Sequence, residues 1–120
     1  WTALRSEKRQ LLMYLFQTSR KLNLTDQAFE SILERGDVRI ERILSRGQVT
    51  PEGEWYDQEL DEWVVLLQGE AEIAYDDGRK IYLNRGDSLF LPAGKRHRVS
   101  YTSEEPVCIW LAVHGRLTDD

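Results

Sequence analysis

The chain is poor in the residues that cross-link proteins or hold metals, with one Cys and two His in 120 residues. A single Cys excludes an internal disulfide and any zinc cluster built on several thiolates. Two His exclude a three-imidazole metal site within one chain, so a metal here would draw on carboxylates or amides. Basic residues are also in short supply. Sixteen Lys and Arg face 21 Asp and Glu, a net charge of −5, which argues against neutralising nucleic-acid phosphates. Long apolar runs are missing too. Nothing approaches the ~20 residues of a membrane span, and the first residues lack a signal peptide's apolar region and cleavage site. The expectation is a cytoplasmic protein with no nucleic-acid and no membrane partner. Its length suits one domain that buries roughly two-thirds of the surface of its unfolded chain.

What is present falls into two unequal parts. Leu11, Leu12, Leu15 and Phe16 recur at helical spacing within Ser6–Arg20, a stretch without Gly or Pro. A second short helix is predicted over Asp26–Arg35, capped by Thr25 and stopped by Gly36, with Ala28, Phe29, Ile32 and Leu33 as its apolar face. From Val38 the period becomes two. Strands are predicted at Val38–Leu44, Trp63–Gln68, Ala71–Tyr75, Ile81–Leu83, Ser88–Leu91, His97–Tyr101 and Val107–Val113. The polar stretch Arg46–Glu54 follows the first of these, and Asp77-Gly78 reads as a type I′ hairpin turn. Seven short strands with no helix between them mean an antiparallel sandwich or barrel. Residues 1–36 are therefore a helical lead-in, 37–115 the barrel and 116–120 a tail. Since the only Met is Met13, residues 1–12 are expected to be upstream sequence rather than part of the domain.

Gly86–His97 reads Gly-Asp-Ser-Leu-Phe-Leu-Pro-Ala-Gly-Lys-Arg-His. This resembles the second motif of the cupin family, G-x5-P-x-G-x2-H, with Gly86, Pro92, Gly94 and His97 in place. Where that motif ends in Asn, this chain has Tyr101. The family's first motif, G-x5-H-x-H-x3–4-E-x6-G, is half present: Glu62 and Gly69 keep their spacing and the His pair is missing. With a three-residue spacer the pair's places fall on Tyr56 and Gln58, and with four on Trp55 and Asp57. The resemblance covers about Val38–Val113. It implies an all-β fold, a double-stranded β-helix or jelly-roll-like barrel behind one or two short helices, often dimeric, with a metal or small ligand in its mouth.

A usual cupin site binds Fe, Mn, Ni, Zn or Cu through three imidazoles and one carboxylate. Here the resemblance carries over Glu62 and His97 as metal ligands, and Asp57 and Gln58 are the nearest candidates to complete the shell. Such a set suits a divalent metal among Fe, Mn, Zn and Ni. Tyr56 and Tyr101 are candidate acid/base residues, because alternation puts Val99 and Tyr101 on the face of His97. Trp55, Tyr56, Trp63, Trp110 and Tyr101 could wall a cavity or fill a core. His114 shares a face with Trp110 and reads as a core or interface residue, and Cys108 as a small buried hydrophobe. Lys95, Arg96 and Arg98 crowd His97; they either draw an anion to the mouth or face the carboxylates of Glu52–Glu62. The function expected is a small homodimeric cupin that binds a divalent metal, a small molecule or both, as an oxygenase-like or isomerase-like enzyme. The alternative is a metal-free, non-catalytic ligand-binding or sensory module. A third possibility is an accessory protein whose N-terminal helices dock a partner.

Overall fold

The computed structural model describes residues 15, 16 and 27–118. Eight strands run in chain order: β1 (Ala28–Arg35), β2 (Val38–Ser45), β3 (Asp61–Gln68), β4 (Ala71–Tyr75), β5 (Lys80–Leu83), β6 (Ser88–Leu91), β7 (His97–Thr102) and β8 (Cys108–Gly115). They form a five-stranded sheet in the order β1-β2-β8-β3-β6 and a three-stranded sheet in the order β5-β4-β7. Every pairing is antiparallel. Period-two patterning turns one face of each sheet inward, and the core lies between them, with Leu66, Ala71, Ile73, Cys108 and Trp110 all buried. Among the described residues there is no helix, and so none long and apolar enough to cross a membrane.

The predicted second helix is instead β1, the edge strand of the larger sheet. The apolar positions 28, 29, 32 and 33 imitate a helical face because β1 carries a bulge. Ser31 opposes Glu41 while Leu33 opposes Ile40, which leaves Ile32 as the extra residue. The bulge moves Leu33 to the outer face, whereas Phe29 points inward, and the period of two is broken at that point. Pairing with β2 overrides the local helix signal, with the Arg42 guanidinium 2.7 Å from the Glu30 carboxylate. The Thr25 cap and the helix over Ser6–Arg20 lie outside the described residues, apart from Leu15 and Phe16. These two form a turn, and the Leu15 carbonyl accepts a bond from Arg42.

The seven predicted strands are present, β8 beginning one residue later than predicted and extending to Gly115. The β4–β5 turn differs in type. Among the described residues none other than Gly has positive φ, so Asp77 does not take the left-handed backbone that a type I′ turn requires. The Gly78 amide instead donates to the Tyr75 carbonyl at 3.1 Å and the Tyr75 amide to the Arg79 carbonyl at 2.8 Å. This is a three-residue loop with Gly78 as its bulge residue.

Candidate functional site

The mouth of the barrel is built where a loop strand joins β7. Tyr56 and His97 exchange backbone hydrogen bonds, at 2.7 and 3.1 Å, in a single antiparallel bridge. The Gly94 amide donates to the Gln58 carbonyl at 2.9 Å. This pairing fixes the alternation of residues 55–58. Tyr56 and Gln58 line a cavity between the sheets, while Trp55 and Asp57 do not. The places of the missing His pair are therefore those given by the three-residue spacer. Asp61 secures the same region, its carboxylate accepting from the Ala93 amide at 2.8 Å and from the Leu117 amide and Thr118 hydroxyl at 3.1 Å. These bonds hold its pKa below the ordinary carboxylate value.

The cavity has a volume of about 260 Å³. Its polar residues arrive in register across the larger sheet. Arg39, His114, Glu62 and Leu91 make one inward-facing row over β2, β8, β3 and β6. Two residues further in, the row is Glu41, Ala112, Val64 and Leu89, and beyond it Ile43, Trp110 and Leu66. On the facing sheet His97 lies opposite Tyr75, and Val99 opposite Ile73.

Glu62 is buried, and loss of water around its carboxyl pushes its pKa up, beyond the opposing pull of His114, His97 and a hydrogen bond from Gln58. Glu41 adds to the upward push. The His97 Nδ1 lies 3.1 Å from the Lys95 carbonyl, which can only accept. In the neutral ring Nδ1 therefore carries the proton and Nε2 is left as a base. The Tyr56 ring stacks on the His97 imidazole with centroids 5.5 Å apart. The His114 Nε2 lies 2.9 Å from Glu41 Oε1 and 3.9 Å from Glu62 Oε2.

Sequence reasoning missed the pairing of His114 with Glu41. The inward alternation of Arg39, Glu41 and Ile43 was a signal for it, disguised because charged residues on a strand ordinarily read as the solvent face. Tyr101, expected beside His97 and Val99, points outward. Tyr101 opposes Glu72 while Val99 opposes Ile73, so Ser100 is an extra residue that inverts the alternation. Tyr101 stacks on Tyr82 on the outer face of the small sheet instead, with centroids 6.2 Å apart. Of the five aromatics considered as cavity walls, Tyr56 and Trp110 line it. Trp63 is 38% exposed, and Trp55 stands under the Arg96 guanidinium. Cys108 is buried in the core.

The residues present do not fit a ready-made metal centre. Among the described residues no three His, Cys, Asp or Glu side chains come together so as to hold an ion. Asp57 is exposed outside the cavity, and the His114 Nε2 is engaged with Glu41.

Residues 43–114 match the family model of a cupin domain. A crystal structure from Ralstonia eutropha JMP134, provisionally described as a mannose-6-phosphate isomerase, is 39% identical with a TM-score of 0.80, covering 87% of this chain and 96% of that one. A cupin superfamily protein from Desulfitobacterium hafniense DCB-2 is 21% identical with a TM-score of 0.64, covering 86% and 96%. HppE in its Fe(II) form is 12% identical with a TM-score of 0.63, covering 73% and 49%. These last two establish likeness of fold alone. No curated protein matches the chain.

Proposed function

Since the chain belongs to the cupin domain family, we propose that its barrel mouth holds a small organic molecule and exchanges protons with it through Glu62 and His97, as an isomerase does. The observation that carries this reading is the environment of Glu62. A carboxyl pushed toward its neutral form by burial, facing imidazoles, is suited to give and take a proton. The His97 Nε2, bare while Nδ1 donates to Lys95, is the complementary base. On a hydroxy ketone the His97 Nε2 would take a proton from the hydroxyl-bearing carbon while Glu62 gives one to the carbonyl oxygen. The resulting enediol would collapse to the isomer when a proton returns to the neighbouring carbon and one leaves the other oxygen. The name given to the Ralstonia relative is of this reaction class. No step is assigned to a metal, because among the described residues no three His, Cys, Asp or Glu side chains are grouped to hold one. We further propose that the working form is a homodimer, since the outer edge of β1 has no neighbour among the described strands.

The test is exchange in deuterated water, using a panel of uncharged hydroxy ketones together with mannose-6-phosphate. Deuterium is expected at the carbon beside the carbonyl of at least one compound, and the rate should fall about a hundredfold or more in Glu62→Gln and in His97→Gln. Binding without exchange would support the non-catalytic, sensory reading instead. Stoichiometric metal in protein purified without chelator, absent from a His97→Ala variant, would restore a metal-dependent one.

A further inference from the structure

The cavity changes character with depth. At its rim the row Arg39, His114 and Glu62 meets His97, and Arg39 is the most open of these, with 47% of its side chain exposed. One row deeper Glu41 is the only charged group, and beyond it the walls are Ile43, Val64, Ile73 and Trp110. Val64, Ile73 and Trp110 belong to the buried core. A ligand that fills this space therefore meets hydrogen-bonding groups at one end and hydrocarbon at the other.

The charges are arranged against an anion. The Glu41 carboxylate lines the cavity beside Glu62, whose carboxyl burial pushes toward its neutral form, and the one guanidinium among the lining residues, Arg39, lies 3.8 Å from Glu41. The three cations next to His97 in sequence are all directed elsewhere. The Lys95 Nζ is 3.2 Å from the Asp77 carboxylate, Arg96 lies over the Trp55 ring, and the Arg98 Nη2 donates to the Thr50 carbonyl at 2.8 Å. None of the three lines the cavity. A phosphate or carboxylate brought inside would give up its water and meet the Glu41 carboxylate, with Arg39, already facing Glu41, as the one Lys or Arg among the lining residues.

From this arrangement we propose that the cavity selects a small molecule with an uncharged hydrogen-bonding head and an apolar body, and turns away anions, sugar phosphates among them. The inference rests on the proton-exchange reading of the same mouth and narrows its substrate class. A hydroxyl or carbonyl head would sit between Glu62, His97 and Gln58, and the hydrocarbon part would lie against Ile43, Ile73 and Trp110.

Three probes test it on the full chain at neutral pH: cyclohexylmethanol, cyclohexanecarboxylate, which carries the same ring on an anionic head, and mannose-6-phosphate. Calorimetry reads affinity, and the methyl NMR signals of Val64 and Ile73 report whether the cavity is filled. The alcohol is expected to shift those methyl signals and to bind about tenfold or more tighter than the carboxylate. Glu41→Gln should narrow that gap, and the comparison of probes on the unmodified protein stands even if this variant folds poorly. A carboxylate that binds as tightly as the alcohol overturns the proposal. Mannose-6-phosphate that binds and exchanges deuterium overturns it as well, while leaving the proton-exchange reading in place. Methyl signals unmoved by the alcohol overturn the proposal too, and deuterium exchange into the hydroxy ketones then decides the proton-exchange reading on its own.

Discussion

Glu62 is held where its charge is unwelcome, and that has a thermodynamic signature. Its folded-state pKa lies above the ordinary 4.5. The stability it contributes is therefore fully present below that ordinary value and is lost as the pH rises through the raised one. Glu62→Gln keeps the shape and the hydrogen-bonding capacity but can never carry the charge. It is expected to melt higher than the parent at neutral pH, by on the order of a few degrees for a chain of this size. The two melting temperatures should converge below the ordinary glutamate range. Scanning calorimetry across pH checks this, and equal melting temperatures at neutral pH would mean that burial does not strain the carboxyl. A stabilised but inactive variant would mark Glu62 as a residue kept for chemistry at the expense of the fold.

At the scale of elements, the turn after β3 is packed against the start of β8, with Gly69 buried there. Gly69 has φ +93, and a Cβ there would stand 2.8 Å from the Cys108 sulfur and 2.8 Å from the Ser103 hydroxyl oxygen. Gly86, in the equivalent turn before β6, has φ +91 and nothing within 4 Å of the same added atom. Gly86→Ala should therefore cost only backbone strain, about 1–2 kcal/mol. Gly69→Ala adds a clash with the start of β8 and should cost about 3 kcal/mol or more. Denaturant titration of both variants separates the two. Equal losses would show that the β3–β4 turn can back away from Cys108. Both glycines stand at motif positions, yet only the structure tells a conformational requirement from a steric one.

For the molecule as a whole, the departure from the usual cupin centre is reversible on paper. Tyr56 and Gln58 hold the places of the missing His pair, and both face the cavity that Glu62 and His97 line. A Tyr56→His, Gln58→His double variant is expected to bind one Co(II) or Ni(II) per chain, seen by absorbance and elemental analysis, where the parent binds none. Failure would mean that the Tyr56–His97 bridge holds the new imidazoles at the wrong angle. How much of this was legible beforehand follows from what spacing can convey. The alternation of β4 and the dense apolar runs of β3 and β8 were legible as strands, and His97 was placed on one face with Val99. The bulges at Ile32 and Ser100 were not legible, because a bulge is a relation between two strands, and a single chain does not display the register of its partner. The first made β1 look helical; the second sent Tyr101 to the wrong face. His114 escaped for a related reason. Its partner Glu41 is 73 residues away in sequence, and neither residue announces the other.

The position of β1 bears on how anything reaches the cavity. Phe29 and Gln27 form part of the cavity wall, yet among the described residues the strand that carries Phe29 is hydrogen-bonded along one side only, to β2. Phe29 remains 56% exposed. An edge strand held by one ladder opens at a lower free energy than the strands on either side of β8. The flank of the cavity leading to Glu62 is thus an edge strand, and its local opening would admit solvent while the strands on either side of β8 stay paired.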